Sequence, residues 1–128
     1  MQPPVYGRRG MVISGHPLAT MAGWSILERG GSAADAAVAA ASVLAVTLPQ
    51  AVTIGGDCVA LVHDAATGSP LALNATGHAP FSPDVSQLSR AALDSGPQPP
   101  RVPGATPGVA SLPPRFARVT WARLVRAP

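Results

Sequence analysis

The chain contains no lysine, a single cysteine and few aromatic residues. Its nine basic residues are all arginines, and they are scattered apart from Arg8, Arg9 and a cluster between Arg115 and Arg126. A nucleic-acid-binding protein would show a dense basic stripe or a recognisable binding motif, so this distribution argues against nucleic acid as a partner. The lone Cys58 excludes an internal disulfide and a cysteine-rich metal site.

Charge and long hydrophobic runs are also scarce. Charged residues make up 12% of the chain, about half of the usual share, which predicts that part of the surface meets another segment or subunit. The apolar run from Ala36 to Leu48 is shorter than the roughly twenty residues that a membrane-spanning helix needs. The first residues show no basic-then-apolar signal pattern. We therefore expect a soluble, cytoplasmic protein without a membrane partner, unless an upstream segment carries a signal.

A glycine pair separates two predicted helices. Pro17 suits a first helical turn after His16, and the glycines at 30–31 end that helix because glycine readily adopts a positive φ. Ser32 is a good N-cap for the next helix, and Asp35 completes a weak capping box. The many alanines of this second helix predict close packing against its neighbours. In the first helix, every third residue is large and apolar and forms a stripe: Leu18, Met21, Trp24 and Leu27.

Short strands flank the two helices. Residues 11–13 are a strand candidate, and residues 58–63 form a near-continuous apolar run that suits a strand covered on both faces. A five-residue loop at 64–68 has hairpin length, and residues 70–74 return as the partner strand. The order of strand, helix, helix, strand and strand predicts an α/β (α+β) protein.

The last third of the chain has a different character. Residues 95–107 are dense in proline and glycine, which predicts a loop without regular structure. Residues 112–125 have helical spacing, and no internal repeat is present. With 128 residues, the chain has room for one domain, so we expect a single domain over residues 1–128.

The order and the residues of these pieces resemble the N-terminal part of the large subunit in the gamma-glutamyltransferase (gamma-glutamyl transpeptidase) family. Residues 9–12 and 16–19 resemble the family's opening strand and helix. Residues 29–39 (RGGSAADAAVA) resemble its signature of a glycine pair followed by an alanine-rich helix, and residues 54–57 (IGGD) with 61–64 (LVHD) resemble its central strand. The fourth similar segment comprises residues 102–104, 107–108, 115–116 and 121–124.

This resemblance implies the fold of the N-terminal-nucleophile hydrolases, an αββα sandwich of which the chain supplies an incomplete part. In that family a precursor cuts itself into a large and a small subunit, and the new N-terminal threonine is the nucleophile, with its own amine as base. The activity is transfer of a gamma-glutamyl group from glutathione or a related amide to water or an amino acid. The resemblance implies no metal and no organic cofactor, and it implies a small-subunit chain as a partner.

The chain departs from the family in its catalytic residues. None of its threonines lies in the family's processing context, so we assign no catalytic residue. We expect a single incomplete domain, an N-terminal fragment that is inactive by itself and that binds gamma-glutamyl compounds only when completed. Because its strands would lack sheet neighbours, the isolated chain is expected to fold poorly or to aggregate.

A second departure concerns substrate binding. The family places an arginine shortly before an Ala-Pro pair that follows the hairpin, where its planar guanidinium pairs with the alpha-carboxylate of the substrate. Here His78 and Thr76 occupy the two positions at which related members have that arginine, and they are our candidate substrate-binding residues. An imidazole cannot form two parallel charged hydrogen bonds, so we hypothesise that carboxylate recognition is weakened or lost.

Other polar residues are given structural roles. His16 is interpreted as a helix-start residue and His63 as a solvated strand end, and the three histidines show no metal-ligand spacing. Cys58 is interpreted as a small buried thiol rather than a nucleophile. Asp35 is interpreted as a helix cap. Asp57 has either a turn role or a place in the lining of a site, of which the turn role is preferred.

Three alternative functions remain open. The chain could be a subunit of a split enzyme, whose other chain supplies the threonine. It could belong to an amidohydrolase similar to the cephalosporin acylases, which the missing arginine favours slightly. It could also be a non-catalytic binding remnant, although the sequence offers no exposed aromatic or charged patch for that role.

Overall fold

The computed structural model describes residues 3–78, Ser89 and residues 103–125. Two compact units are present, one formed by Met1–Thr53 with Val109–Pro128 and the other by Ile54–Gly108. The prediction of a single domain stays a prediction. The helices and strands, in chain order, are α1 (Pro17–Glu28), α2 (Ala33–Thr47), β1 (Cys58–Asp64), β2 (Ser69–Ala75), α3 (Ala105–Ser111), α4 (Pro113–Phe116) and α5 (Trp121–Val125).

Both ends of α1 are capped as the sequence predicts. Pro17 is the first helical residue, and Nδ1 of His16 accepts a hydrogen bond from the Leu18 N–H at 3.2 Å. At the other end Gly30 has φ of +85°. The N–H of Gly30 donates to the Leu27 carbonyl at 3.0 Å, and the N–H of Gly31 donates to Ile26 at 2.9 Å. This is a Schellman ending, which satisfies carbonyls that would otherwise lack partners.

The start of α2 is a complete capping box. The Ser32 hydroxyl accepts from the Asp35 N–H at 3.1 Å, and Oδ2 of Asp35 accepts from the Ser32 N–H at 2.8 Å. The prediction of this cap is therefore confirmed. The helix ends at Thr47, immediately before Leu48, whose helical conformation Pro49 disfavours.

The two helices pack through small residues. A Cβ added at Gly23 would lie 2.9 Å from Cγ1 of Val12 and 3.0 Å from the Ala36 carbonyl oxygen. The alanine-rich helix thus approaches its neighbour closely, as its composition predicts. The buried apolar side chains of this unit are Ala19, Ala22, Ile26, Ala34, Ala36, Val38, Ala39, Ala40, Leu112 and Leu124.

The large apolar stripe of α1 is not its packed face. Leu18 is 55% exposed and Met21 is 66% exposed, whereas Ala19 and Ala22 beside them are buried. The reason is steric, because small side chains let two helix backbones approach and large ones would hold them apart. The prediction of a strand at residues 11–13 is wrong. Those residues belong to no strand that the described part of the chain forms.

In the second unit, β1 and β2 form an antiparallel hairpin. The register runs from Cys58 opposite Ala75 to Asp64 opposite Ser69. The carboxylate of Asp64 accepts from the Ala66 N–H at 2.9 Å and from the Thr67 hydroxyl at 3.2 Å, which holds the turn. The predicted hairpin is confirmed, with its loop one residue shorter because Asp64 belongs to β1.

Only one face of the hairpin is covered, contrary to the expectation for β1. Half-buried and exposed residues alternate along the strand, and Val59 and Leu61 are 73% and 78% exposed. In the register their cross-strand neighbours on this face are Asn74 and Ala72. The apolar run therefore reflects a surface that other residues of the described chain do not cover.

The C-terminal helices correct two further expectations. The proposed loop at 95–107 lies mostly outside the described residues, but α3 already begins at Ala105. Pro107 is compatible with this helix because it sits in the first turn, where an N–H has no helical partner. The stretch 112–125 is divided into α4 and α5. Between them the N–H of Arg118 donates to Oδ2 of Asp35 at 2.9 Å instead of continuing a helix.

The longest helix among the described residues is α2, with 15 residues, and no helix there meets the length and hydropathy that a bilayer span needs.

Candidate functional site

The predicted substrate-binding residues line a cavity in the second unit. It has a volume of about 350 Å³. One wall is the segment that ends β2 and follows it, and the other wall is the segment that leads into α3. The described lining residues are Asn74, Ala75, Thr76, Gly77, His78, Pro103, Gly104 and Pro107.

The first wall is folded by a side-chain turn. Oδ1 of Asn74 accepts from the Thr76 N–H at 3.1 Å and from the Thr76 hydroxyl at 2.6 Å. Asparagine commonly forms such a bond to the backbone two residues ahead. Because the Thr76 hydroxyl donates its proton to Asn74, it can meet a ligand only as an acceptor.

Asp57 supports the same wall from the turn before β1. Its Oδ1 accepts a hydrogen bond from the Gly77 N–H at 2.9 Å, across 20 residues of sequence. The preferred interpretation of Asp57 as a turn residue is therefore incomplete. Its carboxylate does not line the cavity but holds the loop on which His78 is the next residue.

The second wall is attached to that turn as well. The Gly56 carbonyl accepts from the N–H groups of Gly104 and Ala105 at 3.1 and 2.7 Å. The Thr106 hydroxyl donates to the Ile54 carbonyl at 2.8 Å. Two backbone bonds and one side-chain bond thus join the start of α3 to residues 54–56.

The two walls touch each other at Gly104. A Cβ on this residue would overlap the Ala75 carbonyl oxygen and would lie 2.7 Å from the Gly77 nitrogen. Glycine is required here because backbone meets backbone. At this contact the wall of the cavity is consequently built from main-chain atoms, whose positions side-chain rotation cannot change.

The structure brings His78 and Thr76 to the same cavity. Both residues are exposed. None of the described lining residues is an arginine or carries a permanent charge. The cavity could therefore orient a polar ligand by hydrogen bonds, but its described lining offers no bidentate cation for a carboxylate.

Cys58, the first residue of β1, is a half-buried thiol close to Gly108 of α3. A Cβ at Gly108 would lie 2.9 Å from Cβ of Cys58, so the start of β1 packs closely against α3. Burial raises the pKa of the Cys58 thiol, since desolvation disfavours the thiolate. Both observations agree with a structural thiol. Within the described ranges no group of three or more His, Cys, Asp or Glu side chains could hold a metal ion.

Sequence reasoning missed two residues of this site, the Asp57 carboxylate as a support and Gly104 as a contact. The Gly-Gly-Asp pattern at 55–57 signals a close backbone approach, but it does not name the partner. That partner is distant in sequence, and local periodicity carries no information about it.

Comparisons with known proteins agree on one family. The family model for gamma-glutamyltranspeptidase matches residues 19–127. The "Glutathione hydrolase-like YwrD proenzyme" of Bacillus subtilis is 42% identical over 77 residues, which are 60% of this chain and 15% of that protein. The solved gamma-glutamyltranspeptidase of Helicobacter pylori is 31% identical with a TM-score of 0.84, over 96% of this chain and 37% of that one.

A cephalosporin acylase is also similar. The solved enzyme from Bacillus halodurans is 31% identical with a TM-score of 0.70, over 98% of this chain and 25% of that one. The chain thus spans about a seventh of the curated relative and a quarter to somewhat over a third of these two solved structures. The structural similarity confirms the predicted fold class, a partial fold of the N-terminal-nucleophile hydrolase type.

Proposed function

The chain belongs to the gamma-glutamyltranspeptidase family, and from this premise we propose that it is part of an enzyme acting on gamma-glutamyl compounds. The completed enzyme would transfer the gamma-glutamyl group of glutathione or a related amide to water or to an amino acid. This chain would supply one part of the substrate site and no nucleophile.

The cavity beside β2 is the observation that carries this proposal. It lies within the residues that match the family, and it is lined by His78 and Thr76, which we propose to stand where related members have a substrate-binding arginine. A concave site with a few polar groups is the usual form of a small-molecule site. Both described walls donate hydrogen bonds to residues 54–57, which supports a backbone that is placed before a ligand binds.

The missing catalytic threonine is proposed to come from a partner. None of the threonines of this chain has the context of a processed N-terminal nucleophile, and a reaction that needs such a nucleophile cannot proceed without one. The relative from Bacillus subtilis is named a proenzyme, which is compatible with a second subunit. We propose a small-subunit chain as that partner, in the cytoplasm, with neither nucleic acid nor a membrane as a further partner.

Turnover of gamma-glutamyl-4-nitroanilide tests this proposal. The purified chain alone should release no 4-nitroaniline above the buffer rate. Mixing it with the polypeptide encoded directly downstream, if that polypeptide carries the threonine, should start the release. Turnover by the chain alone would contradict the division of roles proposed here.

His78 offers a more specific test in the completed enzyme. The variant His78→Arg introduces a guanidinium that can bind a carboxylate through two parallel bonds, so the KM for gamma-glutamyl-4-nitroanilide should fall by about tenfold, corresponding to the 1.5–3 kcal/mol typical of a charged hydrogen bond less its ordering cost. His78→Gln is the matched control, because it is polar but uncharged. An unchanged KM in His78→Arg would remove this residue from the site.

The second candidate function is amide hydrolysis of the acylase type. The similarity to the Bacillus halodurans acylase supports it. A glutaryl anilide has the same chain length as a gamma-glutamyl anilide but lacks the alpha-amino group. A completed enzyme that cleaves the glutaryl compound at least about tenfold faster would favour this function over gamma-glutamyl transfer.

A further inference from the structure

The turn at residues 54–57 contacts both walls of the cavity through adjacent residues. Gly56 uses its carbonyl oxygen to accept two N–H groups from Gly104 and Ala105. Asp57 uses its side chain to accept the N–H of Gly77. One short turn therefore sets the position of both walls.

We infer that Asp57 is the positioning residue of this site, which fixes the loop that carries His78 against the wall formed by Gly104. This inference rests on the proposed function only in assigning the cavity to a gamma-glutamyl ligand. The hydrogen bond itself is independent of that assignment. Asp57 does not line the cavity, so its effect on a ligand is exerted through the loop.

A substitution can remove the bond that Asp57 accepts without removing the bonds that Gly56 accepts. Gly56 acts through its backbone, which no substitution removes, whereas Asp57 acts through a side chain. Removing the carboxylate releases Gly77 and leaves the bonds from Gly104 and Ala105 in place. The contact of Gly104 with the Ala75 carbonyl then limits the loop at its start, so the freed part is residues 76–78.

His78 follows Gly77 directly, so the bond that Asp57 accepts limits where the imidazole can lie. The Asn74 turn orders Thr76 from the strand side, and Asp57 orders the next residue from the opposite side. A ligand that hydrogen-bonds to His78 would meet a side chain whose backbone is already placed. Such preorganisation improves affinity by reducing the ordering cost of binding.

Hydrogen–deuterium exchange measured by mass spectrometry on the full chain tests the bond directly. In Asp57→Ala the amides of residues 76–78 should exchange about tenfold faster, the order expected for losing a hydrogen bond to a charged acceptor. Exchange at Gly104 and Ala105 should stay within about twofold of the parent chain. Asp57→Asn should keep the protection of residues 76–78, since an amide oxygen can accept the same bond.

Asp64→Ala is the matched control. Its carboxylate holds the hairpin turn by bonds of the same kind, so its loss should speed exchange at residues 65–68 and leave residues 76–78 unchanged. Unaltered exchange at Gly77 in Asp57→Ala, or loss of protection in Asp57→Asn, would overturn the inference. A general rise in exchange along β1 and β2 in Asp57→Ala would also overturn it, because Asp57 would then support the hairpin rather than the loop.

Binding of reduced glutathione, measured by calorimetry on the same variants together with the completing subunit, separates this inference from the proposed function. Asp57→Ala should weaken glutathione binding about tenfold, and Asp57→Asn should restore it. If the parent chain, with its completing subunit, binds no glutathione while exchange at Gly77 still responds to Asp57→Ala, the gamma-glutamyl function fails and the positioning role stands. Full glutathione affinity in a variant with a released loop would overturn the positioning role.

Discussion

The helix pair and the hairpin of this protein reach their structures in different ways. Helices α1 and α2 bury their small side chains against each other, and Val38 is only 1% exposed. The hairpin, which lies entirely within the described residues, has no fully buried residue in either strand. Its outer face exposes most of Val59 and Leu61.

The two regions differ in how much of their apolar surface they bury. The helix pair satisfies its own ends with a capping box and a Schellman ending, and it buries the small side chains between its two helices. The hairpin satisfies its backbone but not its apolar surface, and a hairpin alone is marginally stable in water. Its outer face therefore matches the expectation that other polypeptide completes this protein.

The largest effect is expected from overfilling the helix interface. Ala36→Leu adds bulk at a residue that is 3% exposed, next to the position where a Cβ on Gly23 would already be crowded. Overpacking of this kind should lower the free energy of unfolding by about 3 kcal/mol. Urea denaturation followed by circular dichroism at 222 nm measures it.

The neighbouring position provides the control for this substitution. Ala37 is exposed on the same helix, so Ala37→Leu should change the free energy of unfolding by less than about 0.5 kcal/mol. Equal losses in the two variants would show that α1 and α2 do not pack as described.

A smaller effect is expected from the cap of α2. Asp35→Ala removes an acceptor that is 0% exposed and that binds the N–H groups of Ser32 and Arg118. Because two N–H donors lose this acceptor, the free energy of unfolding should fall by about 2 kcal/mol. Ser32→Ala loses one bond and should cost about 1 kcal/mol. Thermal and urea denaturation measure the free energy of unfolding of both variants. If Ser32→Ala lowers it as much as Asp35→Ala does, the bond from Arg118 contributes nothing to stability.

Polar substitutions on the outer face of the hairpin should change the association of the chains rather than the free energy of unfolding. Val59→Thr with Leu61→Thr makes the outer face polar while keeping residues that favour strands. The free energy of unfolding should change by less than about 0.5 kcal/mol, and the mass measured by light scattering should fall towards that of a monomer. Val62→Thr, on the half-buried face, is the control that should not lower the mass. A monomeric parent chain with a sharp cooperative melt would contradict this prediction.

The smallest effect is expected on the rate at which the Cys58 thiol is alkylated. Because burial raises the pKa of its thiol, the thiolate fraction at pH 8 is below that of a free cysteine, and alkylation by iodoacetamide should be slower. The difference should narrow as the pH rises through the raised pKa, and it should vanish in urea. A rate equal to that of free cysteine in the folded chain would show that the inner face of the hairpin is open.

The features that sequence predicted well are local ones. His16, the glycines at 30–31 and the box of Ser32 with Asp35 act within a few residues of themselves, so their residue types are sufficient to define the ends of the helices. The hairpin was equally clear, because an apolar run, a turn and a second run lie next to one another.

The features that sequence could not supply depend on distant partners. The stripe that includes Leu18 and Met21 recurs every third residue and so drifts around a helix of 3.6 residues per turn, and the packed face is decided by the alanines of α2. In the site, the positions of Thr76 and His78 were predicted by resemblance to the family. Their cavity was not, since it requires Gly104 to meet the Ala75 carbonyl, and neither residue indicates that contact by itself.

The bond between Asp35 and Arg118 has a consequence for biosynthesis. The box with Ser32 can close as soon as α2 leaves the ribosome, whereas Arg118 follows Asp35 by 83 residues. At translation rates of roughly 5–20 residues per second, that interval lasts roughly 4–17 s. During this time Oδ2 of Asp35 in the nascent chain lacks the hydrogen bond that the Arg118 N–H donates in the folded protein.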